Sequence, residues 1–94
     1  MVKHIVCFKL KNPEEKEKVR ELLLSMRGKV PSAKKIEVGV DFLGSERSYD
    51  VILMVDLENR AALDTYQNDP YHVNTVKAYM HQARSASVAV DYEF

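Results

Sequence analysis

The 94 residues include one cysteine, three glycines, three prolines and no tryptophan, and 14 Lys+Arg are balanced by 14 Asp+Glu. Each shortage excludes something. Cys7 alone allows no internal disulfide and no thiolate cage, and no metal site is expected. Zero formal net charge leaves no basic footprint for nucleic acid, so no such partner is expected. No apolar run approaches the roughly 18–20 residues of a membrane-spanning helix, so no membrane partner is expected either. The opening residues carry no long apolar segment and no small-residue cleavage site. No secretory leader is read there, and the expected location is the cytoplasm. There is no Gly-rich phosphate loop, no GxSxG elbow, no HExxH pair and no paired-carboxylate motif. No cofactor is expected.

What is present reads as one domain over residues 1–94. A chain this short buries only about 60–65% of its unfolded surface, which makes self-association an early expectation. In residues 2–10, Val2, His4, Val6, Phe8 and Leu10 alternate with Lys3, Ile5, Cys7 and Lys9, the period of a strand. Asn12-Pro13-Glu14-Glu15 opens a helix: an acceptor at the cap, proline at the first position, and acids at the positive end of the dipole. Val19, Leu22, Leu23, Met26 and Val30 supply its apolar stripe, with Gly28 and Pro31 ending it. Ile36, Val38, Val40 and Phe42 mark a second strand, and Tyr49, Val51, Leu53, Val55 and Leu57 a third, joined by a polar turn at 44–48. A helix is expected over 58–66, broken at Asp69-Pro70, which also caps the next one. Val73, Val76, Met80 and Ala83 line that helix, and Ala86, Val88, Val90, Tyr92 and Phe94 alternate in a last strand.

The order β-α-β-β-α(α)-β is the ferredoxin-like α+β pattern, a four-stranded antiparallel sheet with helices on one face. Apolar side chains nevertheless occur on both sides of the strands. A second sheet is the simplest cover, so two copies are expected to pack through the open sheet face as a dimeric α+β barrel.

Four segments resemble a known family. His4-Ile5-Val6-Cys7-Phe8-Lys9-Leu10-Lys11, Ser48-Tyr49-Asp50-Val51-Ile52, Tyr66 through His72-Val73, and Ser87-Val88-Ala89-Val90-Asp91-Tyr92 are similar to the stress-responsive dimeric α/β-barrel (Dabb) domain. The resemblance implies a homodimeric barrel, with a role in stress or in binding a small hydrophobic or aromatic ligand in the barrel. One plant branch of the family closes polyketide rings without a cofactor, using a tyrosine and a histidine six residues later. Here those positions are Tyr66 and His72, with His4 as the strand histidine. The family's His-Pro-x-His reads Asp69-Pro70-Tyr71-His72 in this chain, and Asp50 stands where that branch has a third-strand histidine. Haem-degrading and monooxygenase-type barrels rank lower, because the chain has no tryptophan for an aromatic cavity wall.

Three residues are therefore the candidates for catalysis. His72 lies in the first turn of a helix, where the dipole disfavours imidazolium and keeps a neutral base. Tyr66 offers a phenol to a carbonyl or enolate oxygen. His4 lies on an apolar stripe, and a supporting role is weighed against simple packing. His81 falls about 180° from His72 on an ideal helix and is expected to face solvent. Cys7 is expected beneath the helices as an inert small hydrophobe. Two functions compete: a non-catalytic barrel homodimer, and a cofactor-independent cyclase or lyase with His72 as base and Tyr66 as donor. A purely structural dimer would fill its interior with Phe8, Phe42, Tyr49 and Leu53.

Overall fold

The computed structural model describes residues 1–94. Its elements are β1 (Val2–Leu10), a 3-10 turn (Pro13–Glu15), α1 (Lys16–Leu24), β2 (Lys35–Val40), β3 (Val51–Leu57) and α2 (Arg60–Asn68). A π-helical segment (His72–Lys77), α3 (Ala78–Ala83) and β4 (Arg84–Glu93) complete the chain. The strands form one antiparallel sheet in the order β2-β3-β1-β4, the ferredoxin-like arrangement. No helix is long and apolar enough to cross a membrane.

The caps follow from local chemistry. Asn12 accepts from Glu14 N–H at 3.1 Å, and Asn59 from Ala62 N–H at 2.8 Å, so α2 begins two residues later than its apolar pattern alone implied. Asp69 leaves the helical region at ψ 132° and its carboxylate accepts from Tyr71 and His72 N–H. The break and the restart at Asp69-Pro70 are therefore one device. Gly28 adopts φ +77°, the left-handed conformation a side chain would resist, after α1 has loosened into turns at 25–29.

The core lies between the helices and one face of the sheet. Val19, Leu23 and Met26 from the α1 region meet Val55, Leu57 and Tyr66, all fully buried. In register, His4 opposes Val55 and Asp91, so the even residues of β1 face the helices. Cys7 does not. It pairs with Ile52 and Val88 on the opposite face, beside Ile5, Met54 and Val90. Alternation separates two sets of side chains without saying which set the helices cover. The even set is continuously apolar apart from His4, whereas the odd set carries Lys3 and Lys9, and the helices take the former. Phe42, expected in the second strand, lies in the loop after β2 and is 97% exposed in the single chain.

Asp50 has a structural task. The β1–β4 register shifts between Lys9 and Leu10, and the Leu10 N–H, inside a buried residue, donates to Asp50 Oδ2 at 2.7 Å. Lys16 Nζ lies 3.8 Å from the other oxygen. Asp50→Ala leaves that N–H unpaired, and a loss of about 1–3 kcal/mol in urea unfolding is expected. An unchanged midpoint would mean that water replaces the carboxylate.

Candidate functional site

A cavity of about 480 Å³ opens between the helices and the sheet of a single chain. His4, Tyr66 and His72 all line it, although they come from β1, α2 and the start of the π segment. Tyr66 stands between the two histidines. Its ring centroid is 5.6 Å from that of His4, edge-on, and 4.6 Å from that of His72. The cavity lies on the helix side of the sheet, and its wall needs no second subunit. Phe8 and Leu53 form part of that wall without filling the space.

His72 is half-buried, and its Nδ1 lies 3.3 Å from the Gln67 carbonyl oxygen. That contact requires the proton on Nδ1 and leaves Nε2 bare, the form that accepts a proton. Burial is the largest influence on its pKa and pushes it below the ordinary 6.5; the Gln67 bond opposes this, and Lys77 and His4 lower it further. Burial therefore favours the neutral ring.

His4 is only 8% exposed, and its Nδ1 is 2.5 Å from Asp91 Oδ1. The carboxylate orients the ring and directs its other nitrogen away from β4. Asp91 escaped the sequence reading because it alternates with Val90 and Tyr92 and looked like a solvent-facing acid. The register decides otherwise, placing it opposite His4.

Tyr66 is fully buried, and its hydroxyl donates to Met26 Sδ at 3.7 Å. A thioether is a weak acceptor. Burial, with a smaller push from the Asp69 charge, raises the phenol far above its ordinary range, so it remains a proton donor.

His81, expected to face solvent, is exposed but lines the cavity. The cause is the π segment His72–Lys77, whose wider turns advance less per residue than an α-helix. Over nine residues the lag swings His81 from the far side to the cavity flank. All three histidines of the chain thus border one space. No group of three or more His, Cys, Asp or Glu side chains is arranged to hold a metal ion.

The sequence model of the stress-responsive A/B barrel domain matches residues 2–94. The chain belongs to the Dabb family. Among solved structures it is similar to a dimeric ferredoxin-like protein of unknown function from Bacteroides fragilis NCTC 9343. That likeness has 31% identity and a TM-score of 0.84 over 99% of this chain and 95% of the other. A dimeric ferredoxin-like protein of unknown function from Thermobifida fusca YX follows at 24% identity and TM-score 0.83, covering 99% and 90% of the two chains. An Arabidopsis thaliana protein matches at 20% identity and TM-score 0.81, covering 100% and 95%. No curated protein matches the sequence. Within the Dabb frame the cavity, with its three histidines, is the feature on which function can be argued.

Proposed function

We propose that this Dabb protein acts as a homodimer that binds a small hydrophobic or aromatic molecule in the cavity between its helices and its sheet. One observation carries the reading: a cavity of about 480 Å³ onto which His4, Tyr66 and His72 converge over an apolar floor. Ligand pockets have this size, and here polar side chains meet an apolar floor at one cavity. Self-association is supported by the apolar open face of the sheet and by similar proteins that are described as dimeric. The family's stress-responsive description makes binding under stress conditions the natural setting. A screen of small phenols and aromatic acids by protein-observed NMR tests the reading. Shifts at His4, Tyr66 and His72 that saturate with ligand are expected, and silence at all three across the screen would end it.

A second reading is favoured by the Tyr66–His72 contact and by the neutral state of His72. In it, the protein is a cofactor-independent cyclase or lyase. His72 Nε2 takes a proton from a carbon next to a carbonyl, and the C–H electron pair moves onto the carbonyl oxygen as an enolate. The Tyr66 hydroxyl leaves its weak sulfur acceptor and donates to that oxygen. The enolate carbon then attacks a second carbonyl within the same molecule, forming the ring C–C bond. Protonated His72 returns its proton to the new alkoxide, and His4, held by Asp91, supports the charge.

A further inference from the structure

The cavity is chemically two-ended. At one end are His4, Tyr66 and His72; the other is reached along the last helix, from His72 towards Arg84. Lys77, His81 and Arg84 all line the cavity: Lys77 and His81, spaced i, i+4, share one flank of that helix, and Arg84 opens β4 just beyond its end. Their neighbours Val76 and Met80 are buried and belong to the cavity floor. Arg84 is half-buried where α3 passes into β4, paired with Leu10 in the sheet. It has no acid to answer it. Neither Arg84 nor Lys77 takes part in any of the chain's ion pairs. A half-buried guanidinium on a cavity wall, in salt-bridge contact with no carboxylate, is a charge held ready for one.

The only acid on the cavity wall, Asp64, belongs to α2, the element that carries Tyr66. His72 and Arg84 stand at opposite ends of the π segment and α3, and long side chains reach back over part of that span. Between the ends the lining is apolar: Val6, Phe8, Leu23 and Leu53, with Val76 and Met80.

We infer that the cavity selects an amphipathic monocarboxylate, its acid group bound bidentately by Arg84 with His81 alongside and with Lys77 between that end and His72. Its apolar chain lies along the floor, and its far end reaches Tyr66 and His72. The inference rests on reading the cavity as a ligand pocket and does not require catalysis. A planar guanidinium fork holds a carboxylate through two parallel N–H···O bonds, and the nearby Lys77 ammonium adds a second positive charge.

Calorimetric titration of the protein with octanoate, 1-octanol, acetate and octyl phosphate tests it. Octanoate is expected to bind at least about tenfold more tightly than 1-octanol, the difference a charge-assisted hydrogen bond supplies. Acetate, with the charge but no chain, is expected to bind weakly. Arg84→Gln should cost octanoate about tenfold and leave 1-octanol unchanged, and Lys77→Gln should cost octanoate less. Amide spectra of both variants report whether the fold survives, and the 1-octanol affinity is an internal control. Equal binding of octanoate and 1-octanol, an Arg84→Gln variant with undiminished octanoate affinity, or preference for octyl phosphate would each overturn the assignment. Binding of 1-octanol and phenols alone would remove the carboxylate and leave the pocket reading standing. Failure of every probe would remove both.

Discussion

Val90→Glu is expected to turn a dimer of this chain into a monomer. On the face away from the helices, Val90, Ile5 and Met54 form one row across β4, β1 and β3, and Val88, Cys7 and Ile52 form the next. Val88 is 50% and Val90 60% exposed in the single chain, an unusual state for valines in the middle of a strand. Charged side chains bound the patch. Lys3 pairs with Asp56 at 3.3 Å, and Lys35 with Glu37 at 2.9 Å, towards β2. An apolar centre inside a polar rim is how interfaces are built. In a twofold dimer each substitution occurs twice, so Val90→Glu buries two unpaired carboxylates in the interface. Each costs several kcal/mol once removed from water, and a rise of roughly a thousandfold or more in the dimer dissociation constant is expected. The isolated subunit should tolerate the change, because the position is solvated there. Sedimentation equilibrium at micromolar concentration, with circular dichroism as a check on folding, decides the matter. A dimer that survives Val90→Glu, or a wild-type chain that is already monomeric, would defeat the open-face interface.

The order of elements was legible because each strand and helix carries its own signal. The alternation of Val2 to Leu10, the Asn12-Pro13 start and the Asp69-Pro70 break all act within a few residues. Properties set between elements were less legible. Which face of β1 the helices cover depends on the summed burial of all four strands, so the alternation of β1 alone does not place Cys7 on the face away from the helices. Asp91 became a partner of His4 only through the β1–β4 register, although its side of the strand, shared with Ala89 and Ser87, could have been matched to the even residues of β1. His81 moved because a π segment is a change of pitch, which hydrophobic spacing does not announce. The grouping of His4, Tyr66 and His72 came from the family resemblance, and the structure brings the three to one cavity. The direction of the Tyr66 hydroxyl, towards Met26, was beyond any sequence pattern.

The largest effect on chemistry is expected at His72. If the cavity performs enolate chemistry, exchange of the acetophenone methyl protons for deuterium isolates its first step, since it needs a base and no second carbonyl. His72→Ala should slow protein-catalysed exchange by about 10²–10⁴-fold, the usual contribution of a positioned base. The pH profile supplies the sharper signature. The base works when neutral, and burial holds its pKa below 6.5. Catalysis should therefore stay level through neutral pH and decline only below the range in which a solvent-exposed histidine would already have failed. The same displacement acts on folding with a fixed sign. As pH falls below 6.5, the unfolded chain binds a proton at His72 before the folded chain does, so stability declines through that window. His72→Gln keeps a polar side chain of similar reach and removes the titration. It should abolish the acid limb of the exchange rate and weaken the acid dependence of stability. Exchange that persists in His72→Ala, or an acid limb unchanged in His72→Gln, would transfer the base to the His4–Asp91 pair. A wild-type protein that does not accelerate exchange would remove this proton abstraction and leave the cavity as a binding site alone.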